Sequence, residues 1–129
     1  MDTNQVACGL MMNKQGKILI GLRKEGYPGA GYWEFPGGKK KMNESIQDCL
    51  AREWVEELNL QIRIYKEFYS YKCEKYNCRF FVGEIVDEEN LEVKEHEEVE
   101  FLNINDIFKK KLYEGDFEML KSVKNELNI

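Results

Sequence analysis

A chain of 129 residues, 43% of them hydrophobic, has the size of one domain and enough apolar material to bury a core. Its net charge of −5 argues against sequence-independent binding of long nucleic acid, which needs a broad basic surface, yet leaves a metal-bridged nucleotide open. No stretch approaches the roughly 18 apolar residues of a membrane span, and MDTNQVACGL lacks the charged start and apolar run of a signal peptide. The expectation is therefore a cytoplasmic protein with no membrane partner, as a monomer or a homodimer.

In chain order, Val6, Cys8 and Leu10 alternate with their neighbours in a first strand. Asn13 to Gly16 supply turn residues, and Lys17 to Arg23 return as the second arm of a hairpin. GYPGAG, Gly26 to Gly31, is a loop by composition, and Trp33-Glu34-Phe35 is a short strand stopped by Pro36. A helix starts near Asn43 to Ser45, where capping residue types are available, and runs to about Leu58. Residues 61–72 and 78–86 are rich in β-branched and aromatic types and predict two adjacent antiparallel strands. Glu98 to Leu102 adds another strand and Asn105 to Phe108 a helical turn, and Phe117, Leu120, Val123 and Leu127 mark an amphipathic last helix. Strands with one central and one terminal helix predict an α/β sandwich with a mixed sheet. Cys8, Cys49, Cys73 and Cys78 lack paired metal-ligand spacing, which argues against structural zinc. Reduced thiols are expected, with a Cys73–Cys78 hairpin disulfide as the competing reading and Cys49 as core.

The chemistry concentrates in Gly38 to Leu60, GKKKMNESIQDCLAREWVEELNL. Glu53, Glu56 and Glu57 fall within an arc of roughly 100° on one helix face. Like charges at this spacing cost about 0.2–0.5 kcal/mol per pair unless cations sit among them. Ile46, Cys49 and Leu50 lie in or beside the same sector, so the acidic cluster borders the buried face, whereas a solvated stripe would lie opposite the core. Such a partly enclosed group of hard oxygens suits Mg²⁺ or Mn²⁺ bridging to phosphates.

The spacing Gly38, five residues, Glu44, seven residues, Arg52-Glu53, Trp54, any residue, Glu56-Glu57, any residue, Asn59, Leu60 resembles the Nudix box. The family has glycine where this chain has Asn59, and asparagine is the usual substitute in the left-handed turn that ends helices. WEFPGGK, Trp33 to Lys39, is similar to the entry of MutT-type members. The resemblance implies one Nudix hydrolase domain over residues 1–129, a mixed sheet between helices, and hydrolysis of a nucleoside triphosphate, such as the oxidised 8-oxo-dGTP, to monophosphate and pyrophosphate. Other Nudix substrates and a non-catalytic nucleotide-binding domain are the alternatives it leaves.

The resemblance also implies residue roles. Glu53, Glu56 and Glu57 would bind metal, with Glu53 at or near the base that activates water, and the Gly38 carbonyl would contact metal too. Arg52 would orient the carboxylates through charge-assisted hydrogen bonds, with a surface ion pair as its plain reading. Glu44 would tie loop to helix or serve as a helix-start carboxylate. Lys39 would face phosphate. One further carboxylate is expected from Glu97, Glu98 or Glu100, and Glu98 is the choice; His96 beside them reads as a lone surface histidine. Arg23 matches a substrate-contacting position, and Asp116 either reads the base or caps the last helix. As an ionised group, Asp116 would accept hydrogen bonds only. Phe35 is a candidate substrate-stacking surface, together with Trp33, Tyr69, Tyr71, Tyr76 and Phe80.

Overall fold

The computed structural model describes residues 4–113 and 115–127. Seven strands form one sheet: β1 (Gln5–Met12), β2 (Ile18–Arg23), β3 (Trp33–Glu34), β4 (Gly37–Lys39), β5 (Ile62–Cys73), β6 (Tyr76–Ile85) and β7 (His96–Leu102). Among the described residues, three α-helices accompany them: α1 (Ile46–Leu58), α2 (Ile104–Ile107) and α3 (Asp116–Leu127). The strand order is β3-β2-β1-β6-β5, with β4 also paired to β1 and β7 to β2. β1 and β6 run parallel and every other pairing is antiparallel, so the sheet is mixed as expected.

Alternation along the strands divides the core in two. Ala7, Met11, Leu19, Phe81 and Ile85 pack on Cys49, Leu50, Trp54 and Leu58 of α1. Leu10, Ile18, Ile20 and Phe80 turn the other way, onto Ile104, Ile107, Met119, Leu120 and Val123 of α2 and α3. The sheet thus lies between helices. Successive side chains on a strand point to opposite faces, which is why adjacent residues such as Phe80 and Phe81 end in different clusters.

α1 begins where Ser45 accepts a hydrogen bond from the Asp48 backbone N–H, and it ends at Asn59, whose φ of 57° and ψ of 35° are left-handed. The asparagine keeps the turn that glycine would make. Two features exceed the sequence expectation. The parallel β1–β6 pairing joins segments about seventy residues apart, and beyond Pro36, where the short strand was expected to stop, Gly37–Lys39 pairs with β1 through Ala7↔Gly38. None of the four cysteines forms a disulfide, and the β5–β6 register sets Cys78 opposite Tyr71 and Cys73 opposite Tyr76. The Leu127 side chain, expected on the apolar face of α3, lies outside the described residues. Among the described residues no helix is long and apolar enough to cross a membrane.

Candidate active site

The site is built where the glycine-rich strand β4 crosses the middle of α1. The Pro36 carbonyl accepts hydrogen bonds from the Trp54 indole N–H and the Gly9 backbone N–H, each at 2.9 Å, which fixes the approach of β4 to the helix. Gly38 then lies against the Glu53 carboxylate so closely that a Cβ at this position would collide with it. Only glycine permits that approach. Glu44 accepts from the Lys41 backbone N–H at 2.8 Å and from the Arg52 guanidinium at 2.8 and 3.1 Å, tying the loop to the helix.

Arg52 is the hub of this network. Besides Glu44, it donates to Glu53 at 3.1 Å and to Glu56 at 3.2 Å, and to the Lys39 carbonyl at 3.3 Å. One planar guanidinium therefore sets two of the three α1 carboxylates and the loop at once. Its hydrogen bonds hold the Glu44 carboxyl down to about 2.

Glu53, Glu56 and Glu57 line one cleft of about 320 Å³ with Glu34, Glu95 and His96. Burial, reinforced by repulsion from Glu53, Glu34, Glu95 and Glu56, pushes the Glu57 carboxyl up to about 9, and burial also raises Glu53. Crowded, partly desolvated carboxylates of this kind are stabilised in their ionised form by a divalent cation. The donor set is all hard oxygen around Glu53, Glu56 and Glu57, and it fits Mg²⁺ or Mn²⁺.

A larger groove of about 710 Å³ continues from the cleft, sharing Arg23, Glu34, Gly37, Glu53 and Glu56 with it. Its volume is that of a small-molecule site. Lys39 and Lys41 border it, and the Lys39 ammonium sits 4.9 Å from the Tyr76 ring centre. Cys8, Phe35, Tyr71, Cys78 and Asp116 line its inner part. Phe35 is buried in the α3-side core and only borders the groove. Trp33, Tyr69 and Phe80 belong to the same core cluster, and none of them lines the groove.

Asp116 is the first residue of α3 and its side chain is buried, 4% exposed, so it does not act as a solvated cap. Burial pushes its carboxyl well above the ordinary carboxylate range and Glu34 adds to the push; the Phe35 backbone N–H and the Arg23 charge oppose it only in part. Burial thus works against the ionised, acceptor-only aspartate expected from the sequence and favours the protonated carboxyl, which donates as well as accepts.

Glu98 is not brought to the cluster. Between Leu22↔Glu98 and Arg23↔His96 the β2–β7 register shifts by one residue. Beyond that bulge Val99 and Phe101 face α1, which turns Glu98 and Glu100 to the opposite side, where Glu100 pairs with Lys110 at 2.7 Å. Glu97 and Glu98 are both exposed. The bulge leaves His96 and Glu95 at the cleft instead. His96, expected at the surface, has a side chain only 3% exposed and places Nε2 2.8 Å from Glu34. Arg23 is held by Glu34 at 2.5 Å and the Pro28 carbonyl at 2.7 Å, over the Tyr113 ring. Glu34, Glu95 and Tyr113 were not singled out in the sequence. WEFPGGK contains Glu34, but nothing in its spacing marks the pairing partner across β2.

Comparison with known proteins places the chain in a family. The NUDIX domain model matches residues 2–123. An 8-oxo-dGTP diphosphatase from Buchnera aphidicola subsp. Schizaphis graminum is 36% identical over 76 residues, 59% of this chain and 55% of that one. A CTP pyrophosphohydrolase from Escherichia coli K12 is 39% identical over 54 residues, 42% of this chain and 40% of that one. The chain spans about half the length of the first curated relatives it matches. The MutT protein of Methanosarcina mazei Go1 shares the fold, with a TM-score of 0.79 at 21% identity over 97% of this chain and 95% of that one. The chain belongs to the NUDIX domain family.

Proposed function

We propose that this chain is a metal-dependent pyrophosphohydrolase that converts a nucleoside triphosphate to its monophosphate and pyrophosphate. The observation that carries the reading is the α1 carboxylate cluster, set by Arg52 and Gly38, opening directly into a groove of nucleotide size. Glu53, Glu56 and Glu57 would hold the divalent ion, with the Gly38 carbonyl beside them and Glu95 in the place expected for Glu98. When bound, such an ion lowers the pKa of an attacking water and neutralises phosphate charge.

The residues of the chain supply the rest. Glu53, held by Arg52 against Gly38, takes the proton from water as the general base. Arg52 keeps Glu53 and Glu56 in place, so their mutual repulsion does not splay the site. Lys39 and Arg23, both lining the groove, would meet the phosphates and the sugar end of the substrate. The Asp116 carboxyl, beside Tyr71 and the Phe35 backbone and pushed toward its protonated form by burial, would read a base edge that offers a donor next to an acceptor. 8-oxo-dGTP and CTP are the first substrates to test, since similar proteins carry those names.

The test is a screen of canonical and oxidised nucleoside triphosphates across a Mg²⁺ titration, with wild type and Glu57→Gln side by side. Turnover should require the metal and collapse in the variant while its circular dichroism stays that of wild type. Turnover indifferent to Mg²⁺, or intact in Glu57→Gln, would refute the reading and favour a domain that binds nucleotide without cleaving it.

A further inference from the structure

We propose that His96 is a positioning residue: as the Nε2–H tautomer it holds Glu34, and through Glu34 the Arg23 guanidinium, without ligating metal. The kinetic part rests on the reading of the groove as a nucleotide site; the tautomer does not.

The arrangement spans three strands. His96 on β7 and Glu34 on β3 are separated by β2, where Gly21 pairs with Glu34 on one side and Val99 on the other. The imidazole crosses β2 over Gly21, and a Cβ there would run into the ring. The β2–β7 bulge supplies the other condition, since it places His96 on the face from which it reaches Glu34. Nε2 ends 2.8 Å from Glu34 Oε2, and the other oxygen of the same carboxylate accepts from Arg23 Nη1 at 2.5 Å. Arg23 lines both the acidic cleft and the groove, so its placement depends on a carboxylate that His96 aims.

Glu34, Glu57 and His96 bring ligand-type atoms within 4.8 Å of one another, which makes a mixed nitrogen and oxygen metal site the competing reading. The far side of the ring decides between them. A histidine that binds metal through one nitrogen donates the other N–H to a carboxylate, carbonyl or water. His96 Nδ1 is buried and faces no hydrogen-bond partner among the described residues. Metal on Nε2 would force the proton onto Nδ1 and leave a buried N–H unpaired, which folded proteins rarely tolerate. With the proton on Nε2, the donor meets Glu34 and only a lone pair is left without a partner.

The chain has one histidine, so ¹⁵N-histidine labelling gives a single imidazole. Long-range ¹⁵N–¹H correlation spectra should show Nε2 protonated and Nδ1 bare, with no change of tautomer at saturating Mg²⁺. Protonated Nδ1, or loss of the Nε2–H on adding metal, would overturn the proposal. In kinetics, His96→Leu should raise KM by about ten-fold with kcat within about two-fold. His96→Gln, which keeps an N–H donor, should recover most of that loss, and Mn²⁺ affinity should be unchanged in both. An unchanged KM in His96→Leu, or Mn²⁺ binding weakened in step with kcat, would also overturn it. If wild type cleaves none of the nucleotides, the functional reading fails and the tautomer still decides this one.

Discussion

The two halves of the site are built in different ways. Most of the metal half lies on one continuous stretch, with β4, the Glu44 loop and α1 joined by hydrogen bonds of Arg52 and Glu44, and Glu95 joins it from just before β7. The base half is assembled from β1, β3, β5, β6 and the start of α3, which meet through the parallel β1–β6 pairing and the packing of α3 on the sheet. Apart from Glu95, the first is a local device defined by a helix and a turn. The second exists only once the whole sheet has formed, so its chemistry can change without disturbing the first. Substitutions in the metal half should therefore act on kcat for every substrate, and those in the base half on KM and on substrate choice.

The largest effect expected is in Glu53→Gln, which should lower kcat by about 10²–10⁴-fold on every nucleotide cleaved, with the fold intact by circular dichroism. A loss confined to one substrate would break the division. Arg52→Lys keeps the charge but not the fork that serves Glu44, Glu53 and Glu56. It should reduce kcat or metal affinity by about 10–100-fold, measured by steady-state kinetics and Mn²⁺ titration. In the base half, Asp116→Leu should lower kcat/KM by about ten-fold, whereas Asp116→Asn, which also donates and accepts, should stay near wild type. Equal losses in the two variants would show that the charge of Asp116, and not its donor, is what the substrate meets.

The smallest effect is on stability. Glu57 has its carboxyl raised from 4.5 to about 9, so its stabilising contribution in the neutral form is whole below the lower value and is lost as pH rises toward the upper one. The metal-free protein should melt at progressively lower temperature across that window, and Glu57→Gln or added Mg²⁺ should flatten the slope. A flat profile for metal-free wild type would contradict the burial assigned to Glu57.

The same division explains what the sequence made legible. Glu53, Glu56 and Glu57 could be placed on one helix face because helical period is a local property, and Ser45 and Asn59 end that helix with side-chain and turn chemistry that needs no distant partner. Glu98 was misplaced because its side depends on a bulge opposite β2, where HEEVEF reads as plain alternation. His96 went unnoticed as a buried group for the same reason, and its room comes from Gly21, a residue seventy-five positions away in the chain. Asp116 was found by its place before the last helix, but the upward push on its carboxyl comes from burial and from Glu34 on β3. Local rules reach the carboxylate cluster; non-local pairing shapes the groove beside it.

The measurement that bears most directly on the central claim is the identity of the products. Wild-type protein should be incubated with Mg²⁺ and the preferred triphosphate, and the phosphorus species resolved by ³¹P NMR. The account predicts nucleoside monophosphate and pyrophosphate in equal amounts; nucleoside diphosphate with orthophosphate would place cleavage at the other bond and contradict it.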